Sequence, residues 1–283
     1  MKMNFKYKKG DGVKYLFNAF LCIYAVISLY PLIWMLFYSL KNNDEIFVSN
    51  PFGFPTNFRV ENYVKAWSQY DVPRYFINSM IVALCTVLIT ITAALLFSYA
   101  TSRMKWRGRD AARIYVVLGM FVPVQAVLIP IAVLIKDLGL TNTHWAVIIP
   151  YAGFNISFAT LVFYGFFKSL PLELEEAACI DGASIYTTFG RIIIPMVQPA
   201  IATLIIFTFL ASWNEFLLAN VLIIKQSLKT LPLGILFFQG RFTTDWGAMG
   251  ATMVIASLPT ILVYILFSRQ VEKAMTVSGA VKG

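Results

Sequence analysis

The side chains that could do chemistry are few, and the densest group of them is acidic. Glu175-Glu176-Ala177-Ala178-Cys179-Ile180-Asp181-Gly182-Ala183-Ser184, followed by Ile192-Ile193-Ile194-Pro195, stands out in a chain whose net charge is +9. Carboxylates catalyse only where other groups converge on the same atoms. Here there is no histidine beside them, and the chain's one histidine, His144, is remote in sequence. No Ser/His/Asp set, no H-E-x-x-H and no phosphate-cradling G-x-x-x-x-G-K-S/T occurs. Cys22, Cys85 and Cys179 are odd in number and show no C-x-x-C spacing, so neither a metal site nor a disulfide framework is expected. The expectation is a chain with no catalytic residues, no metal and no bound cofactor.

The elements that carry this stretch are apolar. Of 283 residues, 59% are hydrophobic and 13% charged, against about 25% charged in soluble domains. Uncharged windows run from Lys14 to Lys41, Arg74 to Arg103, Arg113 to Lys136, Asp137 to Lys168, Arg191 to Glu215 and Asp245 to Arg269. About 20 apolar residues cross a bilayer, and helices are the default because backbone groups in hydrocarbon must be paired internally. The windows predict an all-α membrane protein of one domain, with six spans at about 15–39, 76–101, 114–135, 144–167, 196–224 and 247–268. The first is too long for a secretory h-region and lacks a clear cleavage site, so it reads as a retained helix.

Lys and Arg flank the spans unevenly. One set of segments, comprising the N-terminus, residues 103–113, the acidic loop 168–195 and the tail 269–283, holds 15; the other set holds 8. The positive-inside bias places both termini and the acidic loop in the cytoplasm. The basic residues cluster at span ends and form no groove for phosphates, so nucleic acid is not an expected partner.

Polar groups recur inside the spans: Asn78, Gln125, Asn155, Gln198, Asn214 and Glu215, with prolines at 31, 123, 130, 150, 199 and 259. Such groups are costly in lipid unless they face a bundle interior or a cavity, and the prolines predict bends. Asn78, Gln125, Asn155, Asn214 and Glu215 are therefore pathway candidates. For Glu215 two readings stand: a pathway or gating carboxylate, or one near the external end of its span, reaching headgroups or pairing with a neighbour. Residues 61–67 are either a short amphipathic helix or a loop with interfacial aromatics. Residues 225–246 are apolar for a solvated segment, which points to contact with a partner or with the mouth of a pathway.

In the acidic loop, Ser169 and Pro171 are helix-start residues and Glu173, Glu175 and Glu176 complement a helix dipole. Gly182 ends that helix in a left-handed conformation, Ser184 caps a second, and Pro195 marks where the next span begins. Two short helices bent at Gly182 are predicted, with Ala177 and Ala178 as a face for close packing. Such a unit either docks in another protein's groove or connects two spans. If it docks, the groove should offer basic or helix-N-terminal groups to Glu175, Glu176 or Asp181.

Glu176-Ala177-Ala178, three residues, Gly182, nine residues, Ile192, one residue and Ile194-Pro195 resembles the EAA motif of ABC importer permeases, with Ile194 where that family usually has Leu. Phe54-Pro55-Thr56-Asn57-Phe58, Asn62-Tyr63, Trp67, Trp213-Asn214-Glu215-Phe216, Thr230-Leu231-Pro232-Leu233-Gly234 and the ending Gly279-Ala280-Val281-Lys282-Gly283 are similar to carbohydrate-uptake permeases, of the smaller six-span maltose type. The resemblance covers nearly the whole chain. It implies a type I importer permease fold and a bacterial cell-membrane location. It implies a heterodimer with a second homologous permease, two ATPase subunits that use ATP and Mg, and an extracytoplasmic sugar-binding protein. It assigns Glu175, Glu176, Ala177, Ala178, Asp181, Gly182 and Pro195 to a coupling helix at the ATPase and Val281, Lys282 and Gly283 to a tail between the ATPases. Gln239 and Gly240 would lie in a loop reaching the binding protein, and the substrate would be a sugar in oligosaccharide form. A non-sugar ABC permease and a stand-alone secondary transporter are the alternatives.

Overall fold

The computed structural model describes residues 11–239 and 244–280; the expected sites at Gly240 and at Val281, Lys282 and Gly283 lie outside them. The described chain is helical: α1 (Asp11–Ser39), α2 (Glu61–Ser68), α3 (Val72–Ser102), α4 (Arg109–Leu118), α5 (Val124–Asp137), α6 (Trp145–Ser169), α7 (Glu173–Ile180), α8 (Ile185–Thr188), α9 (Ile194–Met196), α10 (Gln198–Trp213), α11 (Leu217–Leu222), α12 (Leu231–Gly234) and α13 (Trp246–Ala280). No strand occurs among the described residues beyond an isolated bridge between Gln239 and Thr244. Four helices are long and apolar enough to cross a bilayer, and six spans result when each of two sharply bent pairs counts as one.

Both sharp bends fall at prolines. Residues 109–121 and 124–137 meet at 107° across Pro123, and residues 185–196 and 198–213 meet at 72° around Val197, just before Pro199. Proline cannot donate the helix hydrogen bond, and it drives the preceding residue out of the α region. Val122 is extended accordingly, at ψ 114°. Pro31, Pro130, Pro150 and Pro259 lie inside continuous helices. The stretch expected as a single span over 196–224 stops at Trp213, and its remainder is the separate helix α11.

The chain divides into two compact units. One comprises the chain up to Tyr70 with Phe237–Ile255. In it α1 is exposed from Lys14 to Ile33, as at Leu16, Phe20 and Val26. The segment after α1 is organised by buried polar groups. Lys41, 1% exposed, donates to the carbonyls of Asn50 at 2.6 Å and Gly53 at 2.7 Å. Glu45, also buried, accepts from the Thr56 amide at 2.6 Å and hydroxyl at 2.9 Å. Burial pushes the Glu45 carboxyl up, but these donors, the Asn50 amide and the Lys41 charge outweigh it and hold the group below its usual range. Residues 61–68 are the short helix α2, whose Asn62 amide reaches the carbonyls of Ser39 and Lys41, each at 2.9 Å.

The other unit, Asp71–Leu236 with the chain from Ala256 onward, is built around α3. At 31 residues α3 is about 46 Å long. It packs most extensively on α6 and then on α10. Ala83, Thr86, Thr90, Ala94 and Ser98 form a fully buried stripe of small residues at helical spacing, the pattern that lets membrane helices approach closely. Ser98 donates across it to the Thr160 carbonyl of α6 at 3.1 Å. One apolar cluster, including Val82, Ile148, Leu218 and Leu222, surrounds the first half of α3. A second, including Leu95, Phe163, Phe167, Ile193 and Leu204, surrounds its second half.

The apolar stretch after Lys225 finds partners within this unit. Leu231 and Leu233 are buried, the Leu231 amide donates to Ser79 Oγ at 2.8 Å, and Gly234 sits where a Cβ would strike the Tyr75 ring. The apolar character of 231–234 thus reflects packing on α3 rather than a free surface.

Candidate functional site

Two places collect the candidate residues, both in the larger unit. The first is the acidic loop. α6 runs on to Ser169, Leu170 is extended, and α7 starts after Leu172, so Ser169 ends one helix and does not cap the next. Glu173, Glu175 and Glu176 occupy the first turn of α7 as the dipole favours. Its end is a Schellman motif: the Ala183 amide donates to Ala178 O at 2.9 Å, the Gly182 amide to Cys179 O at 3.0 Å, and Gly182 has φ +76°. Ser184 Oγ then accepts from the Thr187 amide at 3.3 Å and caps α8. From Ile185 the chain stays helical, through a π-turn at Phe189–Ile193, past Pro195 to Met196. The break before the next span falls at Val197, two residues after Pro195.

The faces of α7 are sorted unequally. Ala178 is buried, whereas Glu176, Ala177, Cys179, Asp181 and Gly182 are exposed. Two large apolar side chains flank them, Ile180 and Tyr186, each 86% exposed. Glu175 differs from its neighbours. Its Oε1 lies 3.1 Å from Arg103 Nε, and its Oε2 accepts from Tyr99 Oη at 3.1 Å. Arg103 Nη2 also donates to the carbonyls of Phe167 and Leu170 that end α6. Glu175 therefore already has its cationic partner inside the chain, and the carboxylates left for an external groove are Glu176 and Asp181.

The second place is a cavity of about 530 Å³ lined by Gln125, Tyr151, Phe154, Asn155, Phe158, Phe207 and Glu215, among others. Three of the five pathway candidates meet here: Gln125 from α5, Asn155 from α6 and Glu215 from the break after α10. Glu215 accepts from the amides of Leu218 at 2.7 Å and Ala219 at 3.1 Å and from Tyr151 Oη. From the position before the N-cap Phe216 it satisfies two of the free amides that open α11 and ties that helix to α6; of its two readings, the structure supports pairing with a neighbour while leaving it on the cavity wall. The Asn155 amide donates back to Tyr151 O at 2.8 Å. Aromatic faces with a few polar groups suit a ligand that is part apolar and part hydroxylated.

The remaining two candidates sit elsewhere. Asn78 donates to the carbonyls of Ser227 at 3.0 Å and Lys229 at 2.9 Å, anchoring the segment before α12. Asn214 is exposed and donates back to Leu210 O at 2.9 Å. Gln239 takes part in the bridge to Thr244. Among the described residues no group of three His, Cys, Asp or Glu is placed to hold a metal ion. Arg103, Tyr99 and Tyr151 escape a reading of sequence alone. Arg103 counts there as one of a cluster of topology charges, and the two tyrosines as aromatics of apolar spans.

Residues 90–277 match the family model of the binding-protein-dependent transport system inner membrane component. The chain is 36% identical over 264 residues to the probable ABC transporter permease protein YurM of Bacillus subtilis, covering 93% of this chain and 87% of that one. It is 34% identical to the trehalose/maltose transport system permease protein MalG of Thermococcus litoralis, covering 92% and 93%. Among solved structures it resembles a chain of a bacterial ABC transporter involved in the import of the acidic polysaccharide alginate, with a TM-score of 0.79 at 24% identity over 93% of this chain and 98% of that one.

Proposed function

The chain belongs to the binding-protein-dependent inner-membrane components of ABC transporters, and from that premise we propose that it is the permease subunit of an ATP-driven carbohydrate importer. It is a multi-pass membrane component with a transport role. In the proposed assembly it forms half of a pathway with a second, homologous permease. Two ATPase subunits on the cytoplasmic side hydrolyse ATP with Mg, and this chain binds no cofactor. An extracytoplasmic protein delivers the sugar, and both termini face the cytoplasm. The observation that carries the reading is the loop 172–186. It presents exposed Ile180 and Tyr186 beside Glu176 and Asp181, while Ala178 and Glu175 hold it to the bundle. Large exposed apolar side chains beside carboxylates suit a contact surface more than a plain connection between spans. As a docking unit the loop places them in a partner's groove, with Ala177 allowing close approach and the Gly182 turn fixing the angle to α8.

The cavity bearing Gln125, Asn155 and Glu215 is proposed as this subunit's share of the pathway. Phe154, Phe158 and Phe207 offer ring faces to the C–H faces of sugar rings, and Gln125 and Asn155 offer hydrogen bonds to hydroxyls. Carbohydrate as the cargo class rests on the function of relatives such as the trehalose/maltose transport system permease. Val281, Lys282 and Gly283 are proposed to reach the ATPases, and Gln239 with Gly240 the binding protein. The test is genetic and direct. A ligand of the cognate binding protein, found by screening mono- and oligosaccharides for thermal stabilisation, is taken up by cells carrying this chain and not by cells lacking it. Undiminished uptake in the deletion strain contradicts the proposal.

A further inference from the structure

Three elements, α3, α6 and α7, meet at Arg103. It follows the last turn of α3, and its side chain is 4% exposed, against 19% for Glu175. One arm of its guanidinium donates to the carbonyls of Phe167, which also accepts from the Leu170 amide, and of Leu170 at the end of α6. Its Nε holds Glu175 of α7 by charge at 3.1 Å, without the alignment of a hydrogen bond. Tyr99, one turn earlier on α3, holds the other carboxylate oxygen at 3.1 Å. The Tyr99 ring lies 4.6 Å from that of Phe189 in the π-turn and 5.7 Å from that of Phe167. Neighbouring basic residues do none of this: Arg109 bonds its own turn at Met104 O, and Arg113 lies over the Tyr164 ring.

The burial pattern of α7 makes this knot necessary. Its only buried side chain is that of Ala178, one methyl group. The dispersion contacts of that methyl and of the half-buried Leu174 give α7 only a weak grip on the bundle. A largely desolvated carboxylate–guanidinium pair resists separation far more strongly, because parting it leaves a buried charge unpaired. We propose that Arg103 is a positioning residue that makes α7 and the adjoining ends of α3 and α6 move as one body. The proposal rests on the reading of α7 as the helix that docks on the ATPase. Arg103 itself touches neither ATPase nor substrate in this scheme; it sets how much of each ATPase stroke reaches the spans.

The experiment uses the full assembled transporter in proteoliposomes. In Arg103→Gln the ATPases still co-purify, ATP hydrolysis continues, and sugar taken up per ATP hydrolysed falls at least tenfold; Glu175→Gln gives the same loss of that ratio. A role confined to folding lowers yield, hydrolysis and uptake together and leaves the ratio unchanged, which overturns the proposal. A second readout does not depend on the sugar. Spin labels at exposed Glu173 of α7 and Leu161 of α6 keep one separation with and without ATP and vanadate in the wild type, and two separations in Arg103→Gln. The same behaviour in both proteins overturns the proposal. A wild-type complex that shows no ATP-driven uptake refutes the parent reading, and this one with it, so the two failures are told apart by the wild-type control.

Discussion

Gly182 is the residue whose replacement speaks most plainly to the acidic loop. Its φ of +76° lies in the left-handed region, and a Cβ built there meets nothing within 4 Å. Gly182→Ala therefore costs backbone strain alone, about 1–2 kcal/mol. Gly182→Pro demands φ near −65° and also removes the amide that donates to Cys179 O at 3.0 Å, so its cost is about 3 kcal/mol or more. Both penalties fall on the helix–turn–helix conformation proposed to dock. They reappear as weaker binding, about 5–30-fold for Ala and above roughly 100-fold for Pro. The span helices keep their packing, because the turn contributes nothing to either apolar cluster. The assay is retention of the ATPases on affinity-tagged permease, titrated with ATPase, beside thermal unfolding of the permease alone. Unaltered thermal unfolding with graded loss of ATPase is expected. A Gly182→Pro complex that purifies normally and keeps full coupled hydrolysis refutes the reasoning.

Other outcomes follow from the same structure. Glu215→Ala removes the acceptor of two amides that open α11 and the partner of Tyr151, at about 1–2 kcal/mol; uptake should fall while ATPase retention is unchanged, and a normal uptake rate argues against a pathway role for this cavity. Asn78→Leu removes the two hydrogen bonds that anchor the segment before α12, at about 1–3 kcal/mol; uptake per folded molecule should stay constant as the melting temperature drops. His144 is held below its ordinary value of 6.5 by burial, and its Nε2 has no partner. The folded state then binds fewer protons than the unfolded state as pH falls below 6.5, so stability declines from there through the lowered value. His144→Gln should flatten that part of a melting-temperature profile, and an unaltered profile assigns the acid sensitivity to another group. Cys179, exposed in the loop, should react with an impermeant maleimide in inside-out vesicles stripped of ATPase and be protected after the ATPase is added back; reaction only in right-side-out vesicles reverses the proposed orientation.

Local chemistry proved readable and long-range partnership did not. The turn at Gly182 and the Ser184 cap depend on neighbours within six residues, so residue types suffice to foresee them. The same holds for the bend at Pro123, although its size of 107° does not follow from a proline alone. Sequence misplaces the start of α7, because Ser169 caps nothing and α6 continues through it. Polar residues in apolar spans announce a need for partners but not which partners. Gln125, Asn155 and Glu215 come together in one cavity. Asn78, of the same type, is consumed by carbonyls about 150 residues away. Arg103 shows the limit most clearly. Among five basic residues in eleven positions it is indistinguishable, and only the close packing of α3 on α6 brings it beneath Glu175.

The central claim is that transport through this chain is driven by an external ATPase. The direct measurement is sugar uptake into proteoliposomes containing both permeases, with the binding protein outside, ATP inside, and the ATPase subunits present or omitted. The account expects uptake only when ATPase and ATP are both present, with no response to an imposed proton or sodium gradient. Gradient-driven uptake by the permease without the ATPase would contradict it.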